Sequence, residues 1–193
     1  GARRVGDTPA TIDWLLTDSR SLSFPEETLF FALTTKRNDG ARYIPDLYSR
    51  GVRNFVVSKE TYKAIENGQL TIDNSMQRDS AQPIVNCQLS TVNFLVVANP
   101  LKALQKLAEQ HREQFQIPVI GITGSNGKTI VKEWLHQLLS PERVIVRSPR
   151  SYNSQIGVPL SVWQLNEEAE LGIFEAGISE MGEMGALKRM IKP

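Results

Sequence analysis

Apolar positions along this chain come in short runs and helical stripes, and the rhythm changes near its middle. In the first half, Thr28-Leu29-Phe30-Phe31-Ala32-Leu33 is an apolar run of strand length. Tyr43 to Arg50 has the pattern of a short helix closed by Gly51. Val52 to Val57 reads as a strand and Lys59 to Glu66 as a helix ending at Asn67-Gly68. Pro83 to Leu89 and Val92 to Val97 read as further strands, with the polar stretch Thr71 to Gln82 as an exposed connection. Asn99 then caps a helix whose first position is Pro100, where a missing N–H costs nothing. Leu101, Leu104, Leu107 and Ala108 make one apolar stripe on it out to about Phe115, and Pro118 ends it. A domain boundary is expected on this helix, near residue 115.

Beyond that point the alternation is regular. Val119 to Thr123, Arg143 to Arg147 and Glu170 to Glu175 read as strands. Gly127 to Leu139, Ser154 to Leu165 and Glu180 to Ile191 read as the helices between and after them. Strands alternating with helices predict a parallel, doubly wound α/β sheet. The expected organisation is a small α/β domain over residues 1–115, followed by the start of a second α/β domain over 116–193. Three such units make a small sheet, so the chain is expected to end inside its second domain.

Composition narrows the function classes. The 193 residues carry 22 basic and 21 acidic side chains, a net charge of +1. That balance gives no electrostatic reason to expect nucleic acid or an anionic membrane as a partner. No run reaches the ~18 apolar residues of a membrane span. Gly1-Ala2-Arg3-Arg4 is basic, but no apolar segment follows it, so no signal peptide is expected; lacking Met, the chain is expected to have lost its true start. The lone Cys87 has no disulfide partner and fits a reducing cytoplasm, where it reads as a small core residue. His111 and His136 sit in helical patterns rather than in a Cys/His cluster, which argues against zinc. Trp14, Trp134 and Trp163 read as packing residues.

The candidate chemistry is concentrated in Val119-Ile120-Gly121-Ile122-Thr123-Gly124-Ser125-Asn126-Gly127-Lys128-Thr129. The apolar strand delivers the chain to the carboxyl edge of the sheet, where open α/β folds bind ligands. Gly124 and Gly127 let the backbone bend around a phosphate with N–H groups pointing inward. The helix starting near Lys128 adds the positive end of its dipole. Lys128 reaches outer phosphates, and the Thr129 hydroxyl suits Mg²⁺. The general phosphate-loop pattern would place a glycine at Ile122, and Gly121 lies one residue too early. The match is therefore to the variant T-G-x-x-G-K-T, a P-loop over Thr123, Gly124, Ser125, Asn126, Gly127, Lys128 and Thr129.

That heptad resembles the nucleotide loop of the Mur ligases and the related folylpolyglutamate synthetases. Other segments are similar to the same family. Thr17-Asp18-Ser19-Arg20, Leu29 to Leu33 and Asp39-Gly40 resemble the uridine-nucleotide-binding N-terminal domain of the Mur ligases that add the third residue or the final dipeptide. Tyr152-Asn153-Ser154-Gln155-Ile156-Gly157-Val158-Pro159 resembles a family loop that usually reads Asn-Asn where this chain has Asn153-Ser154. Glu175-Ala176-Gly177-Ile178-Ser179, followed by Gly182-Glu183, is similar to a segment of the ligases that add D-alanyl-D-alanine; those adding the third residue read differently there. The resemblance runs from about residue 12 onward. Several segments are also similar to a fusion of such a ligase with an alanine racemase.

The resemblance implies ATP and Mg²⁺ as cofactors, and UDP-N-acetylmuramoyl-tripeptide and D-alanyl-D-alanine as substrates of a cytoplasmic amide ligase acting through an acyl phosphate. This chain would be a non-catalytic part of it. Lys128 and Glu175 would be catalytic, with Glu175, at the end of an apolar strand, sharing the metal with Thr129. Asn153 would contact phosphate or substrate; as a turn residue it would do neither. Ser19, Arg20, Asp39 and Gly40 would hold the uridine nucleotide, Arg being suited to phosphate. The plain alternatives are a solvated loop at Ser19-Arg20 and an ordinary turn at Asp39-Gly40. Ala41 stands where the family often has His. A third-residue-adding ligase and a nucleotide-binding module without catalysis remain the rival functions.

Overall fold

Three phenylalanines at matching positions on neighbouring strands build the centre of the first half. The computed structural model describes residues 2–35, 38–68 and 91–193. Its first strands are β1 (Arg3–Val5), β2 (Trp14–Leu16), β3 (Thr28–Phe31), β4 (Asn54–Ser58) and β5 (Asn93–Val97), in the sheet order β1-β5-β4-β3-β2. Strands β2 to β5 run parallel, and β1 pairs with β5 antiparallel. Phe30, Phe55 and Phe94 are register partners on β3, β4 and β5, and all are fully buried. Their rings meet edge-on at 6.3 Å and stacked at 5.7 Å, so three adjacent strands are locked at one level by aromatic packing. One step earlier in the same register, Asn93 Nδ2 donates to Asn54 Oδ1 at 2.8 Å, joining β5 to β4 through buried amides.

Helices α1 (Ile44–Ser49) and α2 (Lys59–Glu66) follow β3 and β4. Helix α2 begins as its sequence dictates: Ser58 accepts from the Thr61 amide at 3.1 Å, and Tyr62 and Ile65 turn inward. The expected strand at Pro83 to Leu89, the connection Thr71 to Gln82 and Cys87 lie outside the described residues. Strands β1 and β2 were not expected from the sequence.

Helix α3 (Pro100–Arg112) starts where Asn99-Pro100 predicts. The chain divides into two compact units, Gly1–Leu101 and Lys102–Pro193, so most of α3 belongs to the second. The expected boundary near residue 115 lies past the end of this helix, because its buried residues work in the second unit. Ala108 joins the core of Val158, Val162, Phe174, Leu187 and Met190. The second unit contains β6 (Val119–Ile122), α4 (Lys128–Leu139), β7 (Ile145–Arg147), α5 (Gly157–Val162), β8 (Leu171–Glu175) and α6 (Glu183–Ile191). Its strands are all parallel, in the order β6-β8-β7. The α/β class expected from the sequence is the observed one in both units.

Helices α5 and α6 are shorter than their patterns predict, for local reasons. Ser154 takes the amide of Gly157 at 3.1 Å, which moves the start of α5 forward, and the chain past Val162 tightens into turns. The Glu183 carboxylate accepts the amides of Ser179 and Glu180 at 2.7 and 3.0 Å, so residues 179–182 wrap around the N-terminus of α6 rather than joining it. Trp134 departs from its expected packing role. It is 63% exposed on a face of α4 shared with Ile130 and Leu138, which no described residue covers.

Arg112 is a buried cation with carbonyl partners only. Its guanidinium donates to Ile191 O at 2.9 Å, Phe115 O at 2.5 Å, and Ile117 O and Lys192 O at 3.2 Å. It thus satisfies carbonyls at the C-terminal end of α6, where the helix dipole favours positive charge, and in the segment that follows α3. Arg112→Met keeps the aliphatic stem and strands those carbonyls. The expected result is a loss of about 2–4 kcal/mol from the second unit, read as a shift in its denaturant midpoint. An unchanged midpoint would mean that water replaces the guanidinium at no cost.

Candidate functional site

Strands β6 and β8 end side by side, with Ile122 the register partner of Glu175. The chain leaves β6 into the loop 123–127 and enters α4 at Lys128. Gly124 and Gly127 have φ of +141° and +78°, conformations that side chains resist, so the two glycines make the bend as the motif predicts. Thr123 to Gly127 are exposed, and the first amides of α4 have no partner within the helix. The Lys128 ammonium donates to Gly124 O at 2.6 Å, lying back across the loop.

Glu175 is fully buried at the end of β8. Its amide donates to Ser148 Oγ at 3.1 Å. Its Oε2 accepts from Thr129 Oγ1 at 3.2 Å and, at the limit of a hydrogen bond, from Asn153 Nδ2 at 3.5 Å. Its Oε1 lies 2.9 Å from the Lys132 ammonium as an ion pair but makes no directed hydrogen bond. The structure therefore brings Lys128, Thr129, Asn153 and Glu175 to one sheet edge. The Thr129 hydroxyl and the Glu175 carboxylate, which meet through Oε2, form the donor set of a hard divalent cation such as Mg²⁺. Among the described residues, no cluster of three or more His, Cys, Asp or Glu competes as a metal centre.

Lys132 was not singled out in the sequence. The signal was available: it follows Lys128 by four residues, so both face the same side of α4. Its burial follows from tertiary neighbours that spacing does not reveal.

The uridine candidates separate. Asp39 accepts from the Ala41 amide at 3.1 Å and from Thr34 Oγ1 at 3.2 Å, capping a 3-10 turn over Gly40–Tyr43. Gly40 is required there by close approach, since a Cβ would come within 2.8 Å of Leu33 O. Asp39 and Ala41 line a cleft of about 700 Å³ with Thr34, Ser58, Thr61 and Asn99. The cleft lies past the carboxyl ends of β3, β4 and β5, the usual ligand position in a parallel sheet. Ser19 and Arg20 are not among its lining residues. Ser19 is buried, its carbonyl accepting from Arg50 at 2.9 Å. Arg20 is exposed and paired with Asp18 at 2.6 Å, a bond that holds the Asp18 carboxyl below its ordinary pKa.

A parallel sheet whose glycine-bent loop opens a helix beside a buried strand-end carboxylate defines a P-loop-type α/β domain. Residues 122–193 match the Mur ligase middle domain. It is 32% identical over 86% of its length to the UDP-N-acetylmuramoyl-tripeptide–D-alanyl-D-alanine ligase of Borreliella burgdorferi, of which it covers 32%. It is 28% identical over 94% of its length to the ligase of the same name from Bacillus subtilis, covering 34% of that protein. The crystal structure of MurF from Acinetobacter baumannii superposes with a TM-score of 0.74 at 26% identity, over 97% of this chain and 35% of that one. The chain thus spans about a third of the length of the relatives it matches. No helix of the described residues is long and apolar enough to cross a membrane.

Proposed function

We propose that this chain is the nucleotide-handling part of an ATP-dependent amide ligase that adds D-alanyl-D-alanine to UDP-N-acetylmuramoyl-tripeptide in the cytoplasm. The observation that carries the reading is the bond from Thr129 to Glu175, which joins the phosphate loop to a buried carboxylate at the ends of adjacent parallel strands. The likeness to ligases of that name over most of the chain supports the choice of substrates.

In this reading a substrate carboxylate oxygen attacks the γ-phosphorus of ATP and the bond to ADP breaks. The dipeptide amine then attacks the acyl carbon of the acyl phosphate, loses a proton and expels inorganic phosphate. The loop amides and the start of α4 hold the phosphates, and Lys128 leaves Gly124 O to neutralise the transferring group. Thr129 and Glu175 hold Mg²⁺, which draws charge from the phosphoryl oxygens when bound. Asn153 steadies Glu175 and meets the phosphate or the substrate. The test is phosphate release by a polypeptide of the relatives' length, with the UDP-linked tripeptide, with and without D-alanyl-D-alanine. Release that requires a diamino acid instead would assign the third-residue ligase. ATP binding without turnover under any substrate pair would leave a nucleotide-binding module.

For the first unit we infer that the uridine nucleotide is held by Ser19, Arg20, Asp39 and Gly40. Titrating UDP into the isotope-labelled chain is expected to shift the amides of Asp39, Gly40 and Ala41, together with Thr34 and Thr61 across the cleft. Shifts at Ser19 and Arg20 require Arg20 to exchange Asp18 for phosphate, a trade between charge-assisted bonds. No shift in either group at millimolar UDP would remove the assignment.

A further inference from the structure

Lys132 is fully buried, and the reading above gives it no role. Its ammonium donates to Ser148 O at 2.8 Å and to Arg150 O, and lies 2.9 Å from Glu175 Oε1 and 3.3 Å from Glu133 Oε1. Two hydrogen bonds and one ion pair thus tie it to two separate segments besides its own helix. One is the end of β8, carrying Glu175. The other is the segment from Ser148 to Ser154, which follows β7 and carries Asn153.

That second segment is held in an unusual shape. Arg150 has φ of +51°, a left-handed conformation that a non-glycine residue adopts only when its surroundings stabilise it. The Arg150 carbonyl is one of the two that Lys132 binds. Beyond it, Tyr152 N–H donates to Pro149 O at 3.2 Å, and Gly177 N–H donates to Asn153 O at 2.7 Å, closing the segment onto the chain after Glu175. Burying a lysine is costly unless it is paired and hydrogen-bonded, and this one is both.

We propose that Lys132 is a positioning residue that fixes the Glu175 carboxylate and the Ser148–Ser154 segment in one arrangement, so that Oε2 is presented toward Thr129 and Asn153 toward the same point. This rests on the nucleotide and metal reading of the loop. The ammonium occupies Oε1, so Oε2 is the oxygen left to turn toward the loop. The positive charge also balances the buried carboxylate, whose hydrogen-bond partners Thr129 and Asn153 are both neutral. Lys132 touches neither nucleotide nor metal in this account; it acts through Glu175 and the segment.

The test uses Lys132→Met and Lys132→Arg in the 193-residue chain, with Mn²⁺ as the metal probe and ADP as the nucleotide. Loss of an outer partner of a metal ligand typically lowers metal affinity 10–100-fold. Lys132→Met is expected to lower Mn²⁺ affinity in the presence of ADP by about that factor while leaving metal-free ADP affinity unchanged. Lys132→Arg is expected to fall between Met and the parent. Amide exchange of Tyr152 and Gly177 is expected to accelerate in Lys132→Met, with the amides of α6 unaffected. Equal loss of ADP affinity with and without metal, or faster exchange throughout the second unit, would reduce Lys132 to general stability and overturn the proposal. Where Lys132→Met does not fold, the charge-neutral double variant Lys132→Met/Glu175→Gln replaces it, and local acceleration at Tyr152 remains the required result. If the parent chain binds neither ADP nor Mn²⁺, the nucleotide reading has failed; the exchange comparison then decides the positioning role by itself.

Discussion

Replacing Lys128 by alanine is expected to lower phosphate release by about 10²–10³-fold in a polypeptide of the relatives' length, an effect of roughly 3–4 kcal/mol on the transition state. In phosphoryl transfer the protein contributes position and charge more than covalent chemistry, so a cation at the loop is a large share of its work. The Lys128 ammonium already lies across the loop, 2.6 Å from Gly124 O. A modest rotation about its flexible stem brings it to a phosphate held there, whereas a rigid guanidinium fork has a different reach. Lys128→Arg is therefore expected to recover only part of the activity. The same alanine variant of the 193-residue chain should bind Mg·ATP more weakly by calorimetry. Equal binding and equal turnover in the variant would remove the phosphate-loop assignment altogether.

How much of this site was legible in the sequence depended on how local each feature is. Gly124, Gly127, Lys128 and Thr129 lie within one bend, and their backbone angles follow from residue type, so the motif specified the observed loop. Glu175 was found because it closes an apolar strand, and parallel strands that start together end together. Strands β1 and β2 are three residues each and take their conformation from pairing with distant partners; nothing in Arg3–Val5 or Trp14–Leu16 alone requires it. The pairing of Arg20 with Asp18 is local, yet the choice between a carboxylate and a phosphate partner leaves no mark on the sequence. Trp134 shows the opposite failure. An aromatic residue in a helical pattern reads as core, but α4 turns that face away from its own sheet. Lys132 was missed because burying a lysine depends on carbonyls some 16 and 18 residues away, at Ser148 and Arg150.

Glu175→Gln is expected to affect both turnover and stability, and the two effects separate cleanly. The amide keeps the shape of the carboxylate and offers an oxygen to Thr129, but it removes the negative charge proposed to meet the metal. Turnover is expected to fall by about 10²–10³-fold, as for other preorganised charges, and the Mg²⁺ concentration for half-maximal rate to rise. The stability effect arises on the other side of the carboxylate. Lys132, fully buried, would lose its closest anionic partner at 2.9 Å and keep Glu133 at 3.3 Å. Breaking a buried ion pair by removing one member costs about 3–5 kcal/mol, and the remaining Glu133 places this case near the lower end. The denaturant midpoint of the second unit should fall accordingly. Adding Lys132→Met to Glu175→Gln removes the stranded cation and is expected to restore part of that stability without restoring any turnover. Recovery of turnover in the double variant would mean that the charge of Glu175 is structural and that the metal is held elsewhere. Full turnover of Glu175→Gln at ordinary Mg²⁺ would lead to the same conclusion by a shorter route.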